Sequence, residues 1–170
     1  MGKEQTSIGL DIGFHDIKIV ELVRNEEGFQ ITKFAIREIP AAILQQKDRA
    51  GLLGGMIKKM FSEAKIKSST VYLSITGHNV IIRNASLPKM PPEELIDAAK
   101  WNAKEEVLFD LDKAVVDNYV MAETDQDGAT FLNILSVIVR EDVVDFIVSI
   151  AKAAGLRPAG VTVVPVALWE

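Results

Sequence analysis

The chain has 170 residues, 48% hydrophobic and 25% charged, enough to bury a sizeable core and outside the range of disordered or fibrous chains. Its 24 acidic and 19 basic residues give a net charge of -5 with no long block of one sign, which argues against a nucleic-acid backbone as partner. The absence of cysteine removes disulfides, thiolate zinc sites, iron–sulfur clusters and a cysteine nucleophile.

Near the N-terminus there is no apolar run after a basic start, and no later stretch approaches the roughly 18 apolar residues of a membrane span. From Ser7 to Ile12, Ile8, Leu10 and Ile12 share one side of an extended segment with Gly9 and Asp11 on the other, as a period of two requires. A turn at Gly13-Phe14-His15-Asp16 leads into an apolar strand over Ile17 to Val23. Asn25-Glu26-Glu27-Gly28 then turns into a third strand over Phe29 to Ile39, so the opening reads as an antiparallel meander. After Pro40, the residues Leu53, Met56, Ile57, Met60, Phe61 and Ala64 recur at helical spacing and predict a core-facing helix between Asp48 and Ala64.

Thr70 to Ile75 is a β-branched strand, followed by a turn at Thr76-Gly77-His78-Asn79 and a further extended run over Val80 to Leu87. Pro92 with Glu93 and Glu94 starts a helix, because proline fits the first turn and acidic groups favour its positive dipole end. Leu95, Ala99, Ala103 and Val107 form its apolar stripe. Trp101 falls opposite that stripe at 100° per residue, so its ring either packs on a neighbouring subdomain, the commoner outcome, or stands at a contact surface. Strands over Ala114 to Glu123 and Ala129 to Val139 flank the hairpin signal Asp127-Gly128. A helix from Glu141 carries Val143, Val144, Ile147, Ile150 and Ala151 and stops at Gly155. Gly160 to Val164 is a last strand, and Pro165 to Trp169 begins another helix that the sequence does not complete, so the chain reads as part of a longer protein.

The residues that could carry chemistry concentrate in Asp11-Ile12-Gly13-Phe14-His15-Asp16-Ile17-Lys18. A strand-exit turn exposes successive backbone N–H groups that can hold phosphate oxygens. Gly13 allows close approach, Lys18 supplies a point charge, and Asp11 can hold hydrated Mg²⁺. The same string also fits an ordinary hairpin in which Asp11 and Gly13 serve the turn and Lys18 is solvated. His15 and His78, the only histidines, both read as turn residues rather than metal ligands.

Three blocks in order carry a resemblance. Ile8-Gly9-Leu10-Asp11-Ile12-Gly13 with Lys18 and Val20-Glu21-Leu22 resembles the opening of the actin-like ATPase superfamily, in particular the PilM family of type IV pilus assembly proteins and its relative FtsA. Lys100-Trp101-Asn102-Ala103 with Val107-Leu108-Phe109 is similar to that family's Trp-x-Ala and Ile-Pro-Phe pattern. Ala154-Gly155-Leu156-Arg157-Pro158 with Val161-Thr162-Val163 and Ala167-Leu168 is similar to its return into the main subdomain. The sequence departs from the pattern at Phe14, His15 and Asp16, where the family has small hydroxyl residues, and at Leu108 in place of proline, which predicts a helix running a residue or so further.

The resemblance implies a mixed α/β, actin-like (ribonuclease H-like) fold. Residues 5–77 and 159–170 would form part of one actin-like subdomain, and 78–155 a small inserted α/β subdomain. It implies a phosphate site at Asp11, Gly13, Phe14, His15 and Lys18, with Mg²⁺ held by Asp11 through water. ATP and Mg²⁺ would be bound in the complete protein and weakly or not at all here, since the other side of the nucleotide cleft is absent; the chain alone would be inactive. The implied partner is the N-terminal tail of a PilN-like inner-membrane protein, docked in a groove between subdomains, with Trp101 a candidate contact. The implied setting is the cytoplasmic face of the inner membrane, with a part in twitching motility and possible self-association. An actin-superfamily phosphotransferase, or a division or secretion component like FtsA or GspL, is the alternative.

Overall fold

Alternation along β1 (Gln5–Ile12) buries Ile8, Leu10 and Ile12 and leaves Gly9 and Asp11 on the other face. The computed structural model describes residues 5–26, 28–77, 80–105, 107–126 and 128–169. β2 (Asp16–Asn25) pairs antiparallel with β1 and with β3 (Gly28–Glu38), as the meander predicts, with a bulge between Glu21 and Leu22. A single helical turn, α1 (Ala41–Leu44), follows Pro40, and α2 (Arg49–Glu63) starts where the Asp48 side chain accepts the Gly51 N–H at 3.0 Å. β4 (Thr70–Ile75) then pairs in parallel with β1.

Beyond β4 come β5 (Val80–Pro88), α3 (Pro92–Ala103), a short 3₁₀ turn at Leu111–Lys113, β6 (Ala114–Gln126), β7 (Ala129–Arg140), α4 (Glu141–Ala153), β8 (Arg157–Val163) and α5 (Val164–Trp169). The expected turns at His78-Asn79 and Asp127 fall partly or wholly outside the described residues.

The chain divides into two compact units, Met1–Thr76 with Asp145–Glu170, and Gly77–Val144. The first holds the sheet β3-β2-β1-β4-β8. One face of it is buried aliphatic surface from Ile8, Leu10, Ile17, Ile19, Val71 and Leu73, and α2 and α4 contribute Leu53, Ile57, Met60, Ile147 and Ile150 to the buried set. The helices meet at Gly54, where a Cβ would stand 2.6 Å from that of Ala153, so only glycine permits the approach. The far end of α2 is tied to β3 by Arg37 with Glu63, and by Lys33, whose ammonium donates to the Lys65 carbonyl at 3.0 Å and pairs with Glu21 at 2.9 Å. The expected division kept the whole of 78–155 together. In the structure Asp145–Ala153 of α4 belongs with the first unit, because its apolar stripe fills the core that Gly54 opens to it.

The second unit holds the antiparallel sheet β5-β7-β6. Leu95 and Ala99 of α3 pack with Leu132 and Ile134, while Ala103 and Val107 pack with Ile138. The register places the row Arg83–Ser136–Asn118 between the rows of Ile134 and Ile138, so a polar row separates the two apolar clusters. α3 ends at Ala103 and does not run on through the Leu108 position. Its last turn tightens, the Lys104 N–H bonding the Trp101 carbonyl at 3.3 Å, and Val107 turns inward as its N–H bonds Ala103.

Candidate functional site

On the face of the five-stranded sheet opposite α2, strand register alone assembles a polar row. Asp11 pairs with Lys18 across the first hairpin and with Ser74 in parallel β4, while Lys18 pairs with Ile36 and Ser74 with Thr162. Side chains at paired positions share a face, so Asp11 sits between a hydroxyl and an ammonium. Ser74 Oγ donates to Asp11 Oδ1 at 2.7 Å, and Lys18 Nζ lies 3.4 Å from Asp11 Oδ2. The adjoining row is apolar, with Phe34, Val20, Gly9, Tyr72 and Gly160 in register. Both rows line a cavity of about 550 Å³ rimmed by Val164, Ala167 and Leu168 of α5. Phe34 and Ile36 remain 72% and 64% exposed on this face.

The turn after β1 is tight: the Gly13 N–H donates to the Asp16 carbonyl at 2.9 Å, and the His15 carbonyl accepts the Ile39 N–H at 2.7 Å. A Cβ on Gly13 would stand 3.0 Å from Asp16 O and 3.3 Å from Asp16 Oδ1. Lys18 does not project into solvent alone; its ammonium is 2.5 Å from Asp16 Oδ1. That hydrogen bond, opposed by desolvation and aided by the charges of Asp11 and Asp16, raises the Lys18 pKa above the ordinary lysine value. Of the expected site residues, the structure therefore gathers Asp11, Gly13 and Lys18. Phe14 and His15 are both exposed, His15 contributing its carbonyl to the turn. Ser74 and Thr162 join the row although the sequence analysis did not single them out. Asp16, which the sequence marks only as a departure from the family's pattern, is the nearest partner of Lys18.

This arrangement fits a bound polyphosphate poorly. Among the groups expected to meet phosphate oxygens, the Gly13 N–H is closed by the turn and the Lys18 ammonium is paired with Asp16. Nor is a divalent ion given a ready cage: among the described residues no three His, Asp or Glu side chains gather in a metal-binding cluster, and Asp11 offers one carboxylate.

A second concave surface lies on the smaller unit. Trp101, expected more often to be packed, is 75% exposed, with the Lys104 ammonium 4.9 Å from its ring centroid. Helical geometry leaves position 101 on the face opposite the buried Leu95-Ala99-Ala103 stripe. Trp101, Lys100 and Lys104 form one wall of a slot of about 480 Å³, and Phe109, Leu111 and Asp112 the other.

A family model described as "Type IV pilus assembly protein PilM" matches residues 9–169. Among solved structures, the chain is similar to one described as "PilM-PilN type IV pilus biogenesis complex", at 25% identity and a TM-score of 0.80, over 94% of this chain and 47% of that chain. It is also similar to the cytoplasmic domain of EpsL, an inner membrane component of the type II secretion system of Vibrio cholerae, at 12% identity and a TM-score of 0.57, over 93% of this chain and 57% of that one. This chain thus spans about half the length of the solved chains it matches. The fold is the mixed α/β, actin-like one that the sequence implies.

Proposed function

The chain belongs to the PilM family of type IV pilus assembly proteins, and from that we propose that it is a scaffold component of pilus assembly that binds the N-terminal tail of a PilN-like inner-membrane protein. The observation that carries this reading is the likeness, at 25% identity, to a chain of a solved PilM-PilN type IV pilus biogenesis complex. Short tails dock extended, taking affinity from backbone hydrogen bonds and a few apolar pockets. The exposed Trp101 beside its slot supplies one such apolar contact. In this reading the protein is cytoplasmic and reaches the inner membrane through its partner. No helix among the described residues is long and apolar enough to cross a membrane.

We further propose that the first compact unit acts as the actin-like subdomain and the second, Gly77–Val144, as the inserted one. The Asp11–Lys18–Ser74 row would then serve as the phosphate-facing side of a nucleotide-responsive cleft, with no catalysis by this chain alone. The test is a titration of the tail peptide from the same organism's PilN-like protein into the 170-residue chain. Saturable binding weakened by Trp101→Ala is expected. Binding unchanged by that substitution would remove Trp101 from the contact and keep the tail, whereas absence of any binding would remove the reading.

A further inference from the structure

The first hairpin presents its cation already matched to an anion, and the anion comes from the residue that departs from the family's pattern. Lys18 Nζ is 2.5 Å from Asp16 Oδ1 and 3.4 Å from Asp11 Oδ2, so Asp16 is the closer of its two carboxylates. The same Asp16 carboxylate lies over the turn, its Oδ1 3.3 Å from where a Cβ of Gly13 would be. Two carboxylates and one ammonium leave the row with a net negative charge, which repels a polyphosphate before any contact forms. A hydroxyl at position 16 could donate to a phosphate oxygen, whereas a carboxylate only accepts.

We propose that Asp16 is a built-in anion at the phosphate turn: its carboxylate takes the Lys18 ammonium that a nucleotide phosphate would need, and the identity of residue 16 sets how tightly nucleotide binds. This rests on the reading of the Asp11–Lys18 turn as phosphate-facing, and it makes the wild-type chain a weak binder by its own side chain. Asp16 and Asp11 occupy two of the three donors of the half-exposed Lys18 ammonium, so a nucleotide phosphate competes with Asp16 for its charge, and any event that draws Asp16 away strengthens the response.

Mg-ATP is titrated into the isotopically labelled chain and into Asp16→Ser, Asp16→Asn, Lys18→Ala and the Asp16→Ser/Lys18→Ala double variant, following the amide signals of residues 13–18. Dispersion of the remaining amide signals verifies that each variant is folded. Asp16→Ser is expected to bind about tenfold more tightly than wild type, the scale of one partly exposed charge-assisted contact, with the gain lost in the double variant. Independently of any nucleotide, the Lys18 ammonium, followed by ¹³C-methylation and NMR, is expected to titrate at lower pH in Asp16→Asn than in wild type.

Equal affinity in wild type and Asp16→Ser, both weakened by Lys18→Ala, overturns the role of Asp16 and leaves the phosphate turn standing. An unchanged Lys18 titration in Asp16→Asn overturns the ion pair itself. No Mg-ATP response at residues 13–18 in any variant overturns the phosphate turn and the proposal together.

Discussion

The two sheets solve the same problem with different materials. The five-stranded sheet buries a face of isoleucine, leucine and valine, and one glycine in α2 lets α4 press against it. Under α3 the three-stranded sheet is packed by alanine at two of three stripe positions, and the Arg83–Ser136–Asn118 row interrupts its apolar surface. Burial of large aliphatic groups contributes about 1.5–3 kcal/mol per side chain, while a buried hydrogen-bonded pair contributes about 1 kcal/mol net. The first unit is therefore stabilised mainly by volume, and the second depends on polar groups finding each other.

The sharpest test of that contrast compares Ile17→Ala with Ile138→Ala, two residues with no exposed surface in their respective sheets. Both create cavities, and the range for such changes is about 2–5 kcal/mol. Ile17→Ala is expected near the top of it and Ile138→Ala near the bottom, where alanines and a polar row let the site relax; denaturant unfolding of the two variants measures the difference. Equal losses would end the comparison. Next in size, Gly54→Ala forces a methyl to 2.6 Å from the Ala153 Cβ and 2.9 Å from backbone atoms of α4. It is expected to cost about 1–3 kcal/mol and to lower the thermal midpoint, in spite of alanine's better helix propensity.

In the second unit, Ser136→Ala removes the hydroxyl that donates to Asn118 Oδ1 at 2.7 Å. Among the described residues the buried Asn118 amide nitrogen has no hydrogen-bond partner, so the change strands both ends of that side chain. A loss of about 1–2 kcal/mol is expected, and restoring stability with the apolar pair Ser136→Ala/Asn118→Val would show that the row costs stability rather than supplying it.

The smallest effect lies at Glu21, a buried carboxylate in the first unit's sheet. Burial alone would raise its pKa, but the Lys33 and Thr32 hydrogen bonds outweigh burial and hold it below the ordinary 4.5. Its contribution is therefore complete above about pH 4.5 and disappears as pH falls through the lower folded-state value. Glu21→Gln is expected to cost about 1 kcal/mol at neutral pH and to flatten that part of the acid-side stability curve.

Much of this architecture is legible in the sequence, because it is local. A period of two in β1, an apolar run and turn signals for β2 and β3, and a period near four in α2 identify those elements, and Gly155, at φ 80°, ends α4 as expected. α1 is a single turn, too short for periodicity to register. The parallel pairing of β1 with β4 joins residues 63 apart, and no local pattern announces that Ser74 will face Asp11. Trp101 shows the same limit: helical geometry places it opposite the buried stripe, but whether anything covers it depends on elements distant in sequence. Asp16 was visible as a charge at the turn, and only the hairpin register discloses which cation it takes.

The Asp11 row also sets an order of events during synthesis. The β1–β2 hairpin, which already contains Asp11, Asp16 and Lys18, closes within about 1–10 μs of leaving the ribosome. Ser74 lies 63 residues behind Asp11, which at about 5–20 residues per second means a wait of roughly 3–13 seconds. For that interval the nascent hairpin carries its paired charges without the Ser74 hydroxyl that later bonds Asp11. A chaperone acting on this chain meets that half-built surface first.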